Sequence, residues 1–113
     1  MKELERKLKT EEYQLLKCML KNLKEYDFNL DNLKVVDVHE SEMGSIYIIN
    51  PLVKRENRKI NKTIIERQFK DIDGVPISVC INIDTDGCLF ELDIWKIDFN
   101  PLINYPSCAK FGF

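Results

Sequence analysis

The sequence predicts an α+β fold in which an N-terminal amphipathic helix packs on an antiparallel meander sheet of four to five strands. Two observations predict this class. Apolar residues recur at helical spacing between Thr10 and Lys24, and after Leu33 their period changes to two. Of the 113 residues, 44% are hydrophobic and 32% are charged, so we expect a single domain over residues 1–113 with one core.

The helix is predicted to run from Glu11 to Lys24. Thr10 is expected to supply the N-cap hydroxyl, and Glu11 and Glu12 bring negative charge to the positive end of the helix dipole. The apolar stripe consists of Leu15, Leu16, Met19, Leu20 and Leu23. Such a stripe is typical of a helix that covers one face of a small sheet.

Two short β-branched segments follow, Lys34 to Val38 and Ser45 to Ile49, and both are predicted as strands. Between Lys54 and Lys62 the chain carries five Lys/Arg against one Glu, which predicts an exposed loop. The turn-rich segment 25–33 is compatible with a second short helix, and Asn100-Pro101 with the start of a helical turn. The sequence does not decide whether either segment is helical.

The strongest strand signal lies in residues 63–99. Every second residue from Val75 to Ile83 is aliphatic, so one face of this strand is buried. For the preceding turn, a three-residue loop of Ile72, Asp73 and Gly74 is chosen over a two-residue loop, because only the longer loop brings apolar residues together. It sets Phe69 opposite Ile77 and Ile65 opposite Ile81, and it leaves Arg67 on the core side at an edge.

The turn Asp84-Thr85-Asp86-Gly87 is predicted to join this strand to the next. The expected cross-strand pairs are Ile83 with Cys88, Ile81 with Phe90, Val79 with Leu92, and Ile77 with Ile94. The opposite face then presents the candidate partner-binding residues Glu66, Glu91, Asp93 and Trp95. An acidic face with an aromatic anchor is typical of a docking surface for a basic protein. In the alternative, Trp95 lies beneath the C-terminal segment 101–113.

The charge distribution supports that interpretation. Residues 63–113 carry eight Asp/Glu against four Lys/Arg, whereas residues 1–62 carry eleven against thirteen. The basic segment 54–62 lacks interleaved aromatic residues, so nucleic-acid binding is not expected. The net charge of −2 supplies no general field for nucleic acid or membrane.

No catalytic, cofactor or metal site is predicted. The single histidine, His39, has no neighbouring motif for a nucleophile and is expected at a surface or an edge. Glu91 and Asp93 lie two residues apart on one strand, but no cleft is indicated for them. The spacing Asn82-x-Asp84-x-Asp86 overlays a calcium loop, yet predicted strands flank it, so these acids are expected to shape a turn.

The compartment is predicted to be the cytoplasm. The N-terminal residues are densely charged and lack the apolar stretch of a signal peptide, and no apolar run approaches the ~20 residues that span a bilayer. The four cysteines, Cys18, Cys80, Cys88 and Cys108, form no CxxC pair and are expected to be reduced thiols.

One stretch carries a family resemblance. Residues 90–102, read with Asp73-Gly74-Val75-Pro76 and Met43-Gly44-Ser45, resemble a family of small uncharacterised bacterial proteins whose hallmark is Glu-Leu-Asp-x-Trp-Lys-x-Asp-Phe-x-Pro-Leu. The resemblance implies no catalytic residue.

Small single-domain proteins of this kind are similar in style to the immunity proteins of polymorphic and contact-dependent toxin systems, which bind and block a cognate toxin domain. That analogy implies a non-enzymatic, toxin-binding protein, with a nuclease as one such toxin. A small ligand-binding domain or hydrolase with a pocket between helix and sheet is the alternative. The oligomeric state is not predicted.

Overall fold

A six-stranded antiparallel sheet with one helix on one face forms the framework. The computed structural model describes residues 4–38 and 43–108. In chain order the elements are β1 (Arg6–Lys7), α1 (Thr10–Leu20), β2 (Lys34–Asp37), β3 (Ile46–Ile48), a 3-10 turn (Arg55–Asn57), β4 (Ile60–Lys70), β5 (Pro76–Asp84) and β6 (Leu89–Lys96). The order across the sheet is β1-β2-β3-β6-β5-β4. The chain is therefore mixed α and β, with the sheet dominant.

The expected meander of four to five strands is wrong in strand number and in connectivity. The sixth strand is β1, whose two residues carry no periodicity that a sequence pattern could detect. The other difference is that β3 lies beside β6, while β4 begins at the far edge of the sheet. Two three-stranded meanders, β1-β2-β3 and β4-β5-β6, are thus joined through the β3–β6 pair.

The helix is shorter than expected. It begins at Thr10 and ends at Leu20, and its N-cap is Lys9 rather than Thr10. Buried Glu12 accepts a hydrogen bond from the backbone N–H of Lys9 at 2.8 Å, so a carboxylate rather than a hydroxyl stabilises this end. Leu23 follows in a turn, donates its N–H to the carbonyl of Leu20, and still packs against the core.

Arg6 joins three elements. Its guanidinium makes two hydrogen bonds of 2.8 Å to Glu12 of α1, and it also contacts Asp37 of β2 at 2.7 Å. These carboxylates, Glu12 first, raise the pKa of Arg6 above its ordinary value. The short strand β1 is therefore held both by the ion pairs of Arg6 and by its two-residue pairing with β2.

The core lies between α1 and the sheet. The expected core-face residues are confirmed with one exception. Phe90 is buried but lies outside the main cluster, with its ring 5.9 Å from the ring of Tyr47. The cluster contains Leu15, Leu16, Met19, Val35, Ile46, Ile48, Ile65, Phe69, Ile77, Val79, Ile81, Ile83, Leu89, Leu92, Ile94 and Cys108.

The hairpin between β4 and β5 is confirmed. Phe69 lies opposite Ile77 and Ile65 opposite Ile81, as the three-residue loop requires. The loop is closed by Asp71 and Val75, and Gly74 has a φ of 83°, the left-handed conformation that glycine adopts without strain. Arg67 pairs with Val79 and is exposed, as expected of a core-side residue at an edge.

The hairpin between β5 and β6 has a different register from the predicted one. Val79 pairs with Ile94 and Ile81 with Leu92, a displacement of two residues. A three-residue turn accounts for one residue, since the backbone N–H of Asp84 donates to the carbonyl of Cys88. The second residue of the displacement comes from the register shift after the turn, where Leu89 lies opposite Ile83. Phe90 is left without a partner at this shift and is set apart from the core.

The two segments that the sequence does not decide contain no helix. Residues 25–33 form turns and irregular chain, with Asn32 at a positive φ of 62°, and residues 101–108 are also irregular. The C-terminal segment is nevertheless anchored. The buried carboxylate of Asp71 accepts the backbone N–H groups of Ile103 and Asn104 at 2.7 and 2.9 Å. It also pairs with buried Lys96 at 3.0 Å.

Cys18 of α1 and Cys108 form a disulfide with a Cα–Cα distance of 6.4 Å. The expectation of four reduced thiols is therefore wrong for this pair, while Cys80 and Cys88 are free. Spacing could not reveal the pair, because 90 residues separate the two cysteines and only the folded C-terminal segment brings them together.

The disulfide predicts a strong dependence of stability on reductant. In the chain-entropy model, a bond closing a loop of 90 residues stabilises the fold by about 4.6 kcal/mol. The double variant Cys18→Ser/Cys108→Ser should lose about this free energy of unfolding in urea denaturation, and Cys88→Ser should lose little. Denatured, unreduced protein should bind alkylating reagent at two cysteines, and reduced protein at four. Four alkylated cysteines without reduction would contradict the bond.

Candidate interaction surface

The face of the sheet opposite α1, here called the outer face, brings the four candidate residues together. In the observed register Glu91 lies opposite Asn82, Asp93 opposite Cys80, and Trp95 opposite Ser78. Glu66 of β4 also lies opposite Cys80, on its other side. Three adjacent strands therefore place three carboxylates and the indole on one face, as the alternation predicts even though the register differs.

Hydrogen bonds from neighbouring side chains orient two of the carboxylates. Ser78 Oγ donates to Glu66 Oε2 at 2.9 Å. Asn82 Nδ2 donates to Glu91 Oε1 at 3.0 Å, and its own oxygen accepts from Thr63 Oγ1 at 2.6 Å. These bonds hold the carboxylates in place before any partner arrives.

The third carboxylate, Asp93, contacts Ser45, the residue before β3. Its Oδ1 lies 3.2 Å from Ser45 Oγ, and that hydroxyl also accepts the backbone N–H of Ile94 at 2.8 Å. The alternation already predicts Ser78 and Asn82 beside the acids, whereas Ser45 and Thr63 were missed by the sequence reasoning. The signal for Ser78 and Asn82 is their placement between the aliphatic residues of β5.

The outer face has a negative electrostatic character. Within residues 4–38 and 43–108, no ion pair involves Glu66, Glu91 or Asp93. Partial burial, with a contribution from the charge of Asp93, raises the pKa of Glu91 above its ordinary value. Burial and the charges of Glu66, Asp93 and Glu91 raise the pKa of the Cys80 thiol to about 12.

Two other acids of the C-terminal half share one internal cation. Asp71 and Asp73 both pair with Lys96, at 3.0 and 2.7 Å. Burial would raise the pKa of Asp71, but the bonds from Ile103, Ile72 and Lys96 outweigh it and hold that pKa well below its usual range. Among the described residues, three acids of this half remain on the outer face without such a cation, while Asp86 and Asp98 are exposed in or near turns.

Trp95 is half-buried on this face. In the alternative interpretation the C-terminal segment covers it, but the described part of that segment packs on the core. Leu102 and Tyr105 contact the core cluster and Cys108 belongs to it. Residues 109–113 lie outside the described residues. Leu102, Tyr105 and Cys108 therefore lie on the α1 side of the sheet.

The expected exposed basic loop is wrong in part, because Arg58 is buried. Its guanidinium donates to Asp84 at 2.8 Å, to the carbonyl of Ile48 at 2.6 Å and to that of Leu89 at 2.7 Å. It also lies over the Phe90 ring, 4.8 Å from the centroid. This cation is therefore used inside the protein, whereas Lys54, Lys59 and Lys62 are exposed as expected.

A second feature of the outer face was missed by the sequence reasoning. Arg55 stacks on Tyr47, with its guanidinium carbon 4.4 Å from the ring centroid, and Tyr47 lies opposite Glu91 in the β3–β6 pair. An aromatic ring capped by a cation therefore borders the acidic residues. No sequence pattern indicated this neighbour, because residues 47 and 91 meet only through the β3–β6 pairing.

The turn acids behave as expected. Asp84 Oδ1 accepts the backbone N–H groups of Asp86 and Cys88, both at 2.9 Å, which confirms its role in shaping the turn. Among the described residues no group of three His, Cys, Asp or Glu is arranged to hold a metal ion. His39 lies outside the described residues, so its expected surface position is not addressed.

Cavities are open and shallow. A groove of about 1180 Å³ lies between residues 31–36 and 49–58, and charges of both signs line it, including Glu5, Lys34, Lys54 and Glu56. Beside the end of α1, a cavity of about 70 Å³ touches Met19 and Arg67. Two open grooves of about 450 and 480 Å³ also border Tyr13 of α1, beside residues 27–33.

Comparison with known proteins places the chain in a family. A family model described as "Domain of unknown function (DUF6984)" matches residues 5–106. The chain belongs to the DUF6984 family. The match spans α1 and all six strands, so the DUF6984 domain and the observed fold coincide. Comparisons with curated proteins and with solved structures found no match. No α-helix within the described part of this DUF6984 chain is long and apolar enough to cross a membrane.

The Arg58–Asp84 pair yields a stability prediction. Arg58→Ala leaves the buried carboxylate of Asp84 without its cation and two carbonyls without donors, which should cost about 3–5 kcal/mol of unfolding free energy. Lys59→Ala, the exposed neighbour, should cost little. Urea denaturation followed by circular dichroism measures both. Equal stability of the two variants would contradict the structural role of Arg58.

The acidic surroundings of Cys80 yield a chemical prediction. With a pKa of about 12 instead of 9.0, its thiolate population at pH 8 should be about a thousandfold lower than that of an ordinary thiol. Native-state alkylation read by mass spectrometry should therefore modify Cys88 first. Glu66→Gln should accelerate the labelling of Cys80 because one opposing charge is removed. Labelling of native Cys80 as fast as in unfolded protein would contradict this electrostatic environment.

Proposed function

We propose that this protein is a non-enzymatic immunity protein whose outer face binds and blocks a cognate bacterial toxin. One observation carries the proposal. The carboxylates of Glu66, Glu91 and Asp93 share an open sheet face with the half-buried Trp95, and no ion pair within the described residues neutralises them. The expected partner is therefore a protein with a basic surface.

The electrostatics of the face favour such a partner. Glu91 is partly desolvated, and a charge in a less polar environment interacts more strongly with an opposite charge than it does in water. The active site of a nuclease is basic because it holds phosphates, so carboxylates can take the place of those phosphates. A nuclease toxin is the class that this face suits best.

Trp95 supplies the expected anchor. Tryptophan is enriched among residues whose truncation costs 2 kcal/mol or more at interfaces, because its large ring is desolvated on binding. Its neighbours Glu91 and Asp93 lie on the same face of the same strand, two residues apart from one another. The charges should therefore set the association rate, and the ring the dissociation rate.

The proposal assigns no catalysis, cofactor or nucleic-acid partner. The alternative, a ligand-binding domain or hydrolase, expects a pocket between helix and sheet. The cavity beside the end of α1 has a volume of about 70 Å³, which is the space of about two water molecules. That volume does not favour a small-molecule site, and the larger grooves beside α1, of about 450 and 480 Å³, are lined by residues 27–33 with Lys7 as their one strand residue.

The cytoplasm remains the proposed compartment, because a toxin is blocked where its substrate lies. The disulfide between Cys18 and Cys108 weighs against it, since cytosolic thiols are kept reduced. Counting alkylated cysteines in protein trapped directly from cells decides between the compartments.

The proposal predicts the effect of reversing charge on the outer face. Glu91→Lys/Asp93→Lys should abolish capture of the toxin domain encoded beside this protein and should remove protection of cells on co-expression. The matched control is Glu25→Lys/Asp27→Lys, which makes the same charge change at the same spacing at exposed sites beyond α1. The control should bind and protect as the parent does.

Trp95 provides a local readout, because it is the single tryptophan of the chain. Its fluorescence should change when the toxin binds, and Trp95→Ala should cost about 2 kcal/mol or more of binding free energy, mainly through faster dissociation. Unchanged tryptophan fluorescence on binding, or full protection by the Glu91→Lys/Asp93→Lys variant, would place the interface elsewhere.

A further inference from the structure

The strand β4 leaves a long open edge on the sheet. It pairs with β5 on one side, and within residues 4–38 and 43–108 no strand lies on its other side. The opposite edge is β1, which is only two residues long. Because an open edge strand presents unpaired N–H and C=O groups, the sheet can be extended at β4.

The turn before β5 shows which backbone groups point outward. Asp71 donates its N–H to the carbonyl of Val75 at 3.0 Å, so these two residues form a hydrogen-bonded pair. Such pairs alternate along an antiparallel ladder, so Lys70 and Pro76 form a pair without hydrogen bonds. Proline at that position is consistent with the assignment, because it has no N–H to donate.

The same alternation extends along β4. Glu66, Gln68 and Lys70 direct their N–H and C=O groups away from β5, and all three residues are exposed. The register shifts of β4 lie between Ile60 and Ile65, so the half from residue 65 to residue 70 is regular. The guanidinium of Arg67 lies 3.5 Å from the outward carbonyl of Glu66 and is itself exposed.

We propose that β4 pairs with β4 of a second copy of this chain, antiparallel about a two-fold axis at Gln68. In this register Glu66 lies opposite Lys70 of the partner subunit, and Lys70 opposite Glu66 of the partner subunit. Opposite charges that face each other across strands are stabilising. The three outward-facing pairs supply about six backbone hydrogen bonds.

Neighbouring registers are less favourable. An axis at Arg67 sets two arginines directly opposite each other, and an axis at Glu66 does the same with two glutamates. With an axis at Phe69, only two residues of β4, Gln68 and Lys70, can form backbone hydrogen bonds to β4 of the second copy. The charge pattern therefore selects one register and a copy of this chain as the occupant.

The resulting dimer has one continuous sheet, and the outer faces of both copies lie on the same side of it. Glu91, Asp93 and Trp95 lie on the inner strand β6, two strands away from the contact. Glu66 belongs to both the dimer contact and the outer face, so toxin binding is tested on β6 alone with Glu91→Lys/Asp93→Lys, and the dimer with Gln68→Pro. Each property can then fail without the other.

Sedimentation velocity over a concentration series tests the dimer. The parent chain should shift toward twice its 13.3 kDa mass as concentration rises. Lys70→Glu places two carboxylates opposite each other and should weaken dimerisation about tenfold or more, whereas Glu66→Lys/Lys70→Glu exchanges the charges and should restore it. Lys62→Glu, on the same strand but outside the contact, is the matched control and should dimerise as the parent does.

Gln68→Pro tests the backbone contact. It removes an outward N–H without removing a bond to β5, so the monomer should keep its melting temperature while the dimer is lost. A parent chain that stays monomeric at every concentration would overturn the proposal. So would a dimer that survives Gln68→Pro, or one that the charge exchange fails to restore.

Discussion

The buried ion pair between Arg58 and Asp84 is the interaction on which the rest of the structure depends. Asp84 closes the β5–β6 hairpin with one carboxylate oxygen and receives Arg58 with the other. Arg58 also satisfies the carbonyls of Ile48 in β3 and Leu89 in β6. It therefore ties the two meanders together at their junction. Burial would raise the pKa of Asp84, but the bonds from Cys88 and Arg58 outweigh it and keep the carboxylate ionised.

The outer face keeps its composition across that junction. The turn and the register shift after it displace the β5–β6 pairing by two residues, an even number, so Glu91, Asp93 and Trp95 keep the face that their alternation assigns. Asp71, Asp73 and Asp84 of this half are engaged by internal contacts with Lys96 and Arg58. A surface that retains its negative charge while neighbouring acids are neutralised is a good candidate for a binding function. Residue content alone would have overstated the number of available carboxylates.

The two faces of the sheet are stabilised by different kinds of interaction. The helix face is closed by apolar packing, and the disulfide from Cys18 to Cys108 holds the C-terminal segment on that side. The outer face is ordered instead by hydrogen bonds among side chains that are partly hydrated. A partner can replace water there without disturbing the core. This separation makes substitutions on the outer face informative about binding rather than folding.

Sequence alone determined the features that depend on neighbours along the chain. The alternation of β5 assigned the two faces correctly, the Asp73-Gly74 turn set the β4–β5 register, and the apolar stripe located α1. Only the tertiary structure decided the features that join distant segments: the strand β1, the β3–β6 pairing, the disulfide and the burial of Arg58. The physical reason is that local periodicity reports which side of an element is buried, whereas the identity of the partner depends on contacts that no local pattern encodes.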